Sequence, residues 1–412
     1  MKNSNIKIAS AFAAILMLIT ACQKEVAESS IAPLLIPSSN VVEGSYIVMF
    51  KSIFMKDYTG VMTSVSREEA ESVSSRKLSY FQEQVHKLMI PSGIPATQIT
   101  DYYSEVFYGV ALKLDKTQLA ILLKNPMVEF IEQDMEVRLP DITIEDSGIK
   151  SRAQTLPCGI TNAGGSADGS TSTKWIWIAD TGIDLDHPDL NVVTNSTYAK
   201  SFVGGTPDDC HGHGTHVAGT AAAKDNTIGV IGVSAGAPVV PVRVLNCQGS
   251  GQTSKILNGL NHIATYDEAG DVLNMSLGGY WGSNCATNSS YKTALTNLSN
   301  AGTRIALAAG NSSANASLYS PACVNATNIH TIASMTCAKA WSSFSNFGAP
   351  PIDWITTGSS VYSTYKNGGY ATMSGTSMAS PHVAGIMHSI QASPNQNGTV
   401  TFSGVNYKIA VR

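Results

Sequence analysis

A chain of 412 residues exceeds what one ordinary hydrophobic core organises, and two domains with tails are expected. Hydrophobic residues at 43% are enough for a packed interior, and a formal net charge of −4 argues against a nucleic-acid or polyanion partner. Charged residues are only 14%, against roughly 25% in most soluble domains, and Gly, Ser, Thr and Asn fill the gap, as in many exported proteins.

The first segment, "MKNSNIKIASAFAAILMLITAC", sets Lys2 and Lys7 before an apolar run from Ile8 to Thr20. That run is too short to span a bilayer, so residues 1–21 are expected to be an export signal. "LITAC" resembles the bacterial lipobox, which implies cleavage before Cys22 and its acylation; an ordinary secretory signal is the alternative. Residues 22–44, punctuated by Ser and Pro, are expected to form a flexible tether.

Residues 45–138 alternate strand, helix, strand, helix, strand. "SYIVMF" and "VFYGVALKL" are β-rich, and "VEFIEQDMEV" ends the unit. Ser66 with Glu69 three residues on predicts a helix start, and Asp115 predicts another, with Pro126 beyond its end. This is a small α+β domain, ferredoxin-like in its element order. Residues 139–152 lack apolar periodicity and are expected to be a linker.

The remaining residues, 153–412, have a different grammar. "KWIWIAD", "PVVPVRVL", "DVLNMSLGG" and "TRIALAAGN" are runs suited to strands buried on both faces. Helical stretches such as "GTHVAGTAAA", "TSKILNGLNHIATYDEAG" and "SSYKTALTNLSNAG" fall between them. The expectation is an α/β domain with a doubly wound parallel sheet, whose chemistry gathers at the carboxyl ends of its strands. Asp180, Ser276 and Asn311 stand there. Whether the tail "GTVTFSGVNYKIAVR" is a strand pair or a separable end stays open.

Three motifs carry the chemistry. Asp180 lies in "IADTGIDLDHPDL", His213 in "HGHGTHVAGT" and Ser377 in "MSGTSMASPHVAG". A serine hydroxyl needs a base within reach, and imidazole suits because it titrates near neutrality. A carboxylate then fixes the tautomer and stabilises the imidazolium. Asp, His, Ser is one of the known chain orders of a hydrolase triad. Zinc ligation by His211, His213 and His216 is the weaker reading, because no acidic partner of zinc-protease type stands within the motif. His211, His216 and His382 are expected to be structural. Asp184, Asp186 and Asp189 should brace loops, and Asp208 and Asp209 should be solvated. Pro381 is expected within the first turn of its helix, where amides have no intrahelical acceptor.

These motifs, with "SLGG", "AAGNSS" and "FSNFG", resemble the subtilisin-like serine proteases, nearest the proteinase K and aqualysin branch. The resemblance covers residues 153 to about 392. It implies that Asp180 orients, His213 is the base, Ser377 is the nucleophile and Asn311 completes an oxyanion hole. It also implies that Gly249, Ser250 and Gly251, with Ser276, Leu277 and Gly278, form two edges for an extended peptide. Ala308, Ala309 and Gly310 would line an uncharged pocket for apolar or aromatic residues, and Tyr280 and Trp281 put its depth in question. Residues 45–138 resemble the family's inhibitor-type propeptides, which implies an intramolecular inhibitor and processing near Ser151, Arg152 or Ala153.

Six cysteines remain beside Cys22, and an even set in an exported chain favours disulfides, with fifteen pairings open. The resemblance implies Cys210 with Cys247, which leaves Cys323 with Cys337 and Cys158 with Cys285. It requires no cofactor for the chemistry, but implies a structural calcium at Asp353 with the carbonyls of Thr327 and Ile329. The expected protein is a monomeric secreted serine endopeptidase acting on protein and peptide substrates. Its precursor would touch the bacterial envelope only through its lipid, and its catalytic domain would be extracellular. A non-catalytic peptide-binding lipoprotein of the same fold is the alternative.

Overall fold

The computed structural model describes residues 40–60, 66–139, 142–149, 153–282 and 289–412. Cys22, Ser151, Arg152 and Cys285 fall outside them.

The apolar runs form the middle of a nine-stranded sheet. Its order is Asn395–Phe402, Val405–Val411, Ile352–Thr357, Ile329–Met335, Arg304–Ala308, Val272–Met275, Ile176–Asp180, Val239–Arg243 and Lys200–Ser201. All neighbours are parallel except the first pair. Every residue of Ile176–Asp180, Val239–Arg243 and Val272–Met275 is buried. Alternation sorts their side chains. Ile176, Ile178 and Val272 pack with the helices His213–Ala222 and Thr376–Ile390. Trp177, Ala179 and Leu273 pack with Thr253–Tyr266 and Ser290–Ala301 on the other face. The chain leaves Ile176–Asp180 toward Val239–Arg243, then returns to add Val272–Met275 on the opposite side. Strand order therefore reverses at Ile176–Asp180, and a crevice opens at its carboxyl end.

The N-terminal unit is a four-stranded antiparallel sheet, Val128–Arg138, Val41–Phe50, Gly109–Lys113, Ile99–Tyr103. One face covers the helices Arg67–Met89 and Lys116–Leu122 through Val48, Phe50, Phe81 and Leu122. The other, through Ile47, Met49, Tyr103 and Val137, joins the core around Thr253–Tyr266 and Ser290–Ala301. Asp115 caps its helix fully: Oδ1 accepts from the amides of Thr117 and Gln118 at 2.8 Å each, and Gln118 Oε1 accepts from the Asp115 amide at 3.1 Å. Ser66 occupies the other cap position, but its side chain makes no capping bond.

Several elements differ from the sequence reading. Ile99–Tyr103, "ITDYY", is a strand that the three-strand pattern omits. The expected linker contains the strand Thr143–Ile149, paired antiparallel with Gly369–Ser374. The C-terminal tail is a hairpin on the sheet edge, its Phe402 stacked on Trp341 at 4.4 Å. Cys210 joins Cys247, with Cα atoms 5.2 Å apart. Cys158 joins Cys337, with Cα atoms 5.9 Å apart, so the Cys323–Cys337 and Cys158–Cys285 pairs are both corrected. Their separation of 179 residues explains the miss: only the folded sheet brings the two cysteines together.

Candidate active site

Asp180 closes its strand, His213 opens its helix, and Ser377 is the second residue of Thr376–Ile390; all three are fully buried. His213 Nδ1 donates to Asp180 Oδ1 at 2.7 Å, and the same oxygen accepts from the Thr181 amide at 2.7 Å. The glycine after the histidine permits this approach. A Cβ on Gly214 would collide with the Gly182 carbonyl and stand 3.1 Å from Asp180 Cβ. His213 Nε2 is buried without a hydrogen-bond partner among the described residues, so it is free to take a proton.

The loop before His213 is organised by a residue expected to be solvated. Asp209 is only 5% exposed. Its Oδ1 accepts from Thr181 Oγ1 and the amides of His211 and Gly212, and its Oδ2 from the amide and hydroxyl of Thr215, at 2.7–3.0 Å. The reason is local: the first amides of a helix lack intrahelical acceptors, and this carboxylate supplies them. Asp208 is exposed, as expected. Asp184 and Asp189 brace loops by accepting from the Gly368 amide (2.7 Å) and from Asn226 Nδ2 (2.7 Å).

His216 and His382 are held by backbone carbonyls. His216 Nε2 faces the carbonyls of Val361 and Ala371 at 3.0 and 3.1 Å, and burial pushes its pKa down to about 3. His382 Nδ1 faces the Met378 carbonyl at 2.9 Å, and burial lowers it to about 4. Neither ring is set to share a metal with His213.

Ser377 Oγ donates to the Ser276 carbonyl at 3.1 Å, while Ser276 Oγ donates to the Ser377 carbonyl at 2.9 Å. The second bond corrects the reading of Pro381. That proline is the sixth residue of its helix, beyond the first turn, and its missing N–H would orphan the Ser377 carbonyl four residues back. Ser276 supplies the donor. Asn274 holds this pair, with Nδ2 2.9 Å from Ser276 Oγ and Oδ1 accepting from Ser380 at 2.8 Å.

Asn311 is oriented by the serine helix itself. Its Oδ1 accepts from the amide and hydroxyl of Thr376 at 2.8 and 2.7 Å, which turns Nδ2 toward Gly375, before the serine. Asn346, in the quoted "FSNFG", secures that loop: Oδ1 accepts from the Ser312 and Ala314 amides, and Nδ2 donates to the Ala309 carbonyl at 2.9 Å. Nothing in the residue types of Asn346 and Thr376 marks them for these roles, which rest on hydrogen bonds between segments distant in the chain.

Beside Asn311 lies a cavity of about 320 Å³. Leu277, Gly278, Ala308, Ala309 and Gly310 line it, together with Tyr280 and Tyr319, whose rings meet edge to face at 5.6 Å. Trp281 turns away into the core against Tyr291. Arg138 and Leu139 enter the same cavity. Residues 136–138 pair antiparallel with Ser250–Gln252, Arg138 also bridges Gly278, and the Leu139 amide donates to the Gly249 carbonyl at 2.8 Å. The N-terminal unit thus lays its last strand between the two edges expected to hold a peptide. Ile142 continues past the serine turn, its Cγ2 3.3 Å from where a Gly375 Cβ would stand.

The expected calcium ligands do not complete a shell. Asp353 Oδ2 accepts from the Thr331 amide at 3.0 Å, and burial raises this carboxyl to about 6. The Thr327 carbonyl already accepts from Ser299 Oγ. The set as expected brings one carboxylate, and calcium takes six to eight oxygens. Among the described residues no group of three or more His, Cys, Asp or Glu side chains is placed to hold a metal.

An α/β crevice with an aspartate-bound imidazole and a helix-borne serine is the frame of a serine hydrolase. The chain belongs to the subtilase family, whose profile matches residues 173–405, and a peptidase inhibitor I9 profile matches residues 45–140. It is similar to the alkaline serine exoprotease A of Vibrio alginolyticus, 35% identical over 86% of this chain and 61% of that protein's length. The extracellular serine proteinase of Thermus sp. (strain Rt41A) is 32% identical over 90% of this chain and 86% of its own length. Proteinase R of Parengyodontium album is 33% identical over 69% and 70%. The chain is therefore a serine-type endopeptidase of the proteinase K branch, built with an inhibitor segment as a zymogen, and subtilases need no cofactor for catalysis.

Proposed function

We propose that the protein matures itself, with Ser377 as nucleophile, His213 as base, Asp180 as its orienting carboxylate and Asn311 as an oxyanion donor. The observation carrying this reading is the buried 2.7 Å bond that holds His213 while leaving its Nε2 unoccupied. For attack, Ser377 Oγ leaves the Ser276 carbonyl and passes its proton to Nε2. The tetrahedral oxyanion is met by the Ser377 amide at the helix N-terminus and by Asn311 Nδ2. His213 then returns the proton to the leaving amine, and water repeats the cycle on the acyl-enzyme.

Substrate would bind as Arg138 and Leu139 do, as a strand along Gly249, Ser250 and Gly251 facing Ser276, Leu277 and Gly278. The uncharged catalytic-domain walls of the cavity, Ala308, Ala309 and Gly310 with two tyrosines, support an apolar or aromatic preference before the scissile bond. Leu139 lines the cavity with Asn311 and Ile142 lies at the serine turn, whereas Ala153 is bridged to Ile228. We therefore place a first cut between Leu139 and Ile142, and a later one near Ser151, Arg152 or Ala153. A time course of N-terminal sequencing tests this. Wild type should show an intermediate starting at 140–142 before the final start, and Ser377→Ala should stay uncut. A Ser377→Ala chain that still processes itself, purified free of other proteases, refutes self-maturation. Acylation of Cys22 and a monomeric mature enzyme complete the proposal, tested by fatty-acid labelling of the precursor and by sedimentation.

A further inference from the structure

Far along the chain from the cleft, the inhibitor unit plants one guanidinium in the catalytic unit. Arg67, the first residue of its long helix, is 7% exposed. One terminal nitrogen donates to both oxygens of Asp271 at 2.6 Å, Nε to the Tyr266 carbonyl at 3.0 Å, and the other terminal nitrogen to the Thr173 carbonyl at 3.3 Å. The guanidinium carbon lies 3.7 Å from the centre of the Trp175 ring, and Glu268 is 3.6 Å away. Asp271 is completely buried and is held independently of Arg67, by the Trp175 amide and Trp177 Nε1 at 2.9 Å each. Every group that receives the guanidinium belongs to the catalytic unit.

The structure assigns this recess as a guanidinium-binding exosite. Arg67 fills it in the zymogen, and once the inhibitor leaves it is open to an arginyl side chain of a bound protein. This rests on the reading that the inhibitor unit is released. The chemistry is selective. A flat cation is stacked on an indole face, faces a carboxylate, and has two carbonyls at its edge, a set that an ammonium cannot match. Departure of Arg67 also leaves a buried carboxylate without its cation, which favours replacement by another. Lys174, now 3.1 Å from Glu268, is the local competitor.

The test uses N-acetylarginine methylamide, its lysine counterpart and the neutral citrulline isostere, read by tryptophan fluorescence. Enzyme matured from the full chain should bind the arginine compound saturably and at least tenfold more tightly than either analogue. The intact Ser377→Ala precursor should not respond, and the Ser377→Ala/Arg67→Ala precursor should regain the response. That last arm needs no maturation, so a chain that fails to process tests the exosite still; if the double variant does not fold, the matured enzyme decides. In competition, the arginine compound should weaken rebinding of the inhibitor unit, raise KM for a denatured protein substrate, or do both, which identifies the source of the side chain. Equal binding of arginine and lysine compounds, closure by Lys174 shown as no response in either open form, or competition against neither partner would overturn the assignment.

Discussion

In the catalytic half, the carboxylate of Asp209 is enclosed by five donors drawn from Thr181, His211, Gly212 and Thr215, all within that half. In the inhibitor half, Glu132 and Arg67 meet their partners only across the boundary. Glu132 accepts from the amide and hydroxyl of Ser290 at one helix start, and Arg67 meets Asp271. Asp134 does both, accepting from Ser45 of its own unit and from the amide and hydroxyl of Ser254. Their sheets differ alike. The nine-stranded sheet is covered by helices on both faces, whereas the inhibitor sheet gains its fifth strand, Ser250–Gln252, from the other half. The catalytic half completes its histidine loop from within, whereas the inhibitor half completes its sheet and its buried charges only while docked.

The sharpest way to break this contrast is Asp209→Asn, which places an amide among donors and leaves buried N–H and O–H groups unmatched. A loss of about 3 kcal/mol is expected in urea unfolding of the Ser377→Ala precursor, with equal loss in the matured enzyme. A loss confined to the precursor would contradict a histidine loop completed from within.

Glu132 sharpens the contrast from the other side. Burial raises its carboxyl from the ordinary 4.5 to about 7. The docked state therefore binds a proton that the separated chain has released, so docking is firmest below about pH 4.5 and weakens as pH rises toward 7. The slope for one proton is at most about 1.4 kcal/mol per pH unit. Glu132→Gln should remove one proton's share of the pH dependence of precursor stability between pH 5 and 7, leaving the contributions of Asp267, which burial raises to about 7, and of Asp184 and Asp353, which it raises to about 6. An unchanged slope would remove Glu132 from this role.

The smallest effect lies within the inhibitor unit. Asp115→Ala should cost about 1 kcal/mol by removing a two-sided cap, while Ser66→Ala should be neutral, because its hydroxyl caps nothing. Equal effects in thermal unfolding would mean that the cap geometry does not govern these helices.

What was legible in the sequence follows the range of the forces involved. Continuous apolar runs such as "IWIAD" announce strands buried on both faces, since no other placement removes every side chain from water. "ITDYY" does not, because Thr100 and Tyr102 stay partly open to solvent while Asp101 is buried on Lys255 and Asn258. Thr143–Ile149 becomes a strand only because Gly369–Ser374, more than two hundred residues later, offers an edge. At the site, residue types and spacing singled out Asp180, His213, Asn311 and Ser377, and the structure adds the contacts that orient Asp180, His213 and Asn311. Asp209 and Ser276 were misjudged or given lesser roles because their importance lies in hydrogen bonds to distant backbone. The pairing of Cys158 was likewise hidden by distance along the chain.

That bridge has a consequence for survival. Cys158 lies five residues past Ala153, so an amino end made by the proposed cut near Ser151, Arg152 or Ala153 would stay tied to Cys337. Close by, the Arg412 amide donates to the Ala163 carbonyl at 2.9 Å, which ties the last strand to the same corner. Proteases are digested first where ends fray. A bridge and a hydrogen bond at one corner hold that segment where another protease would otherwise find slack backbone.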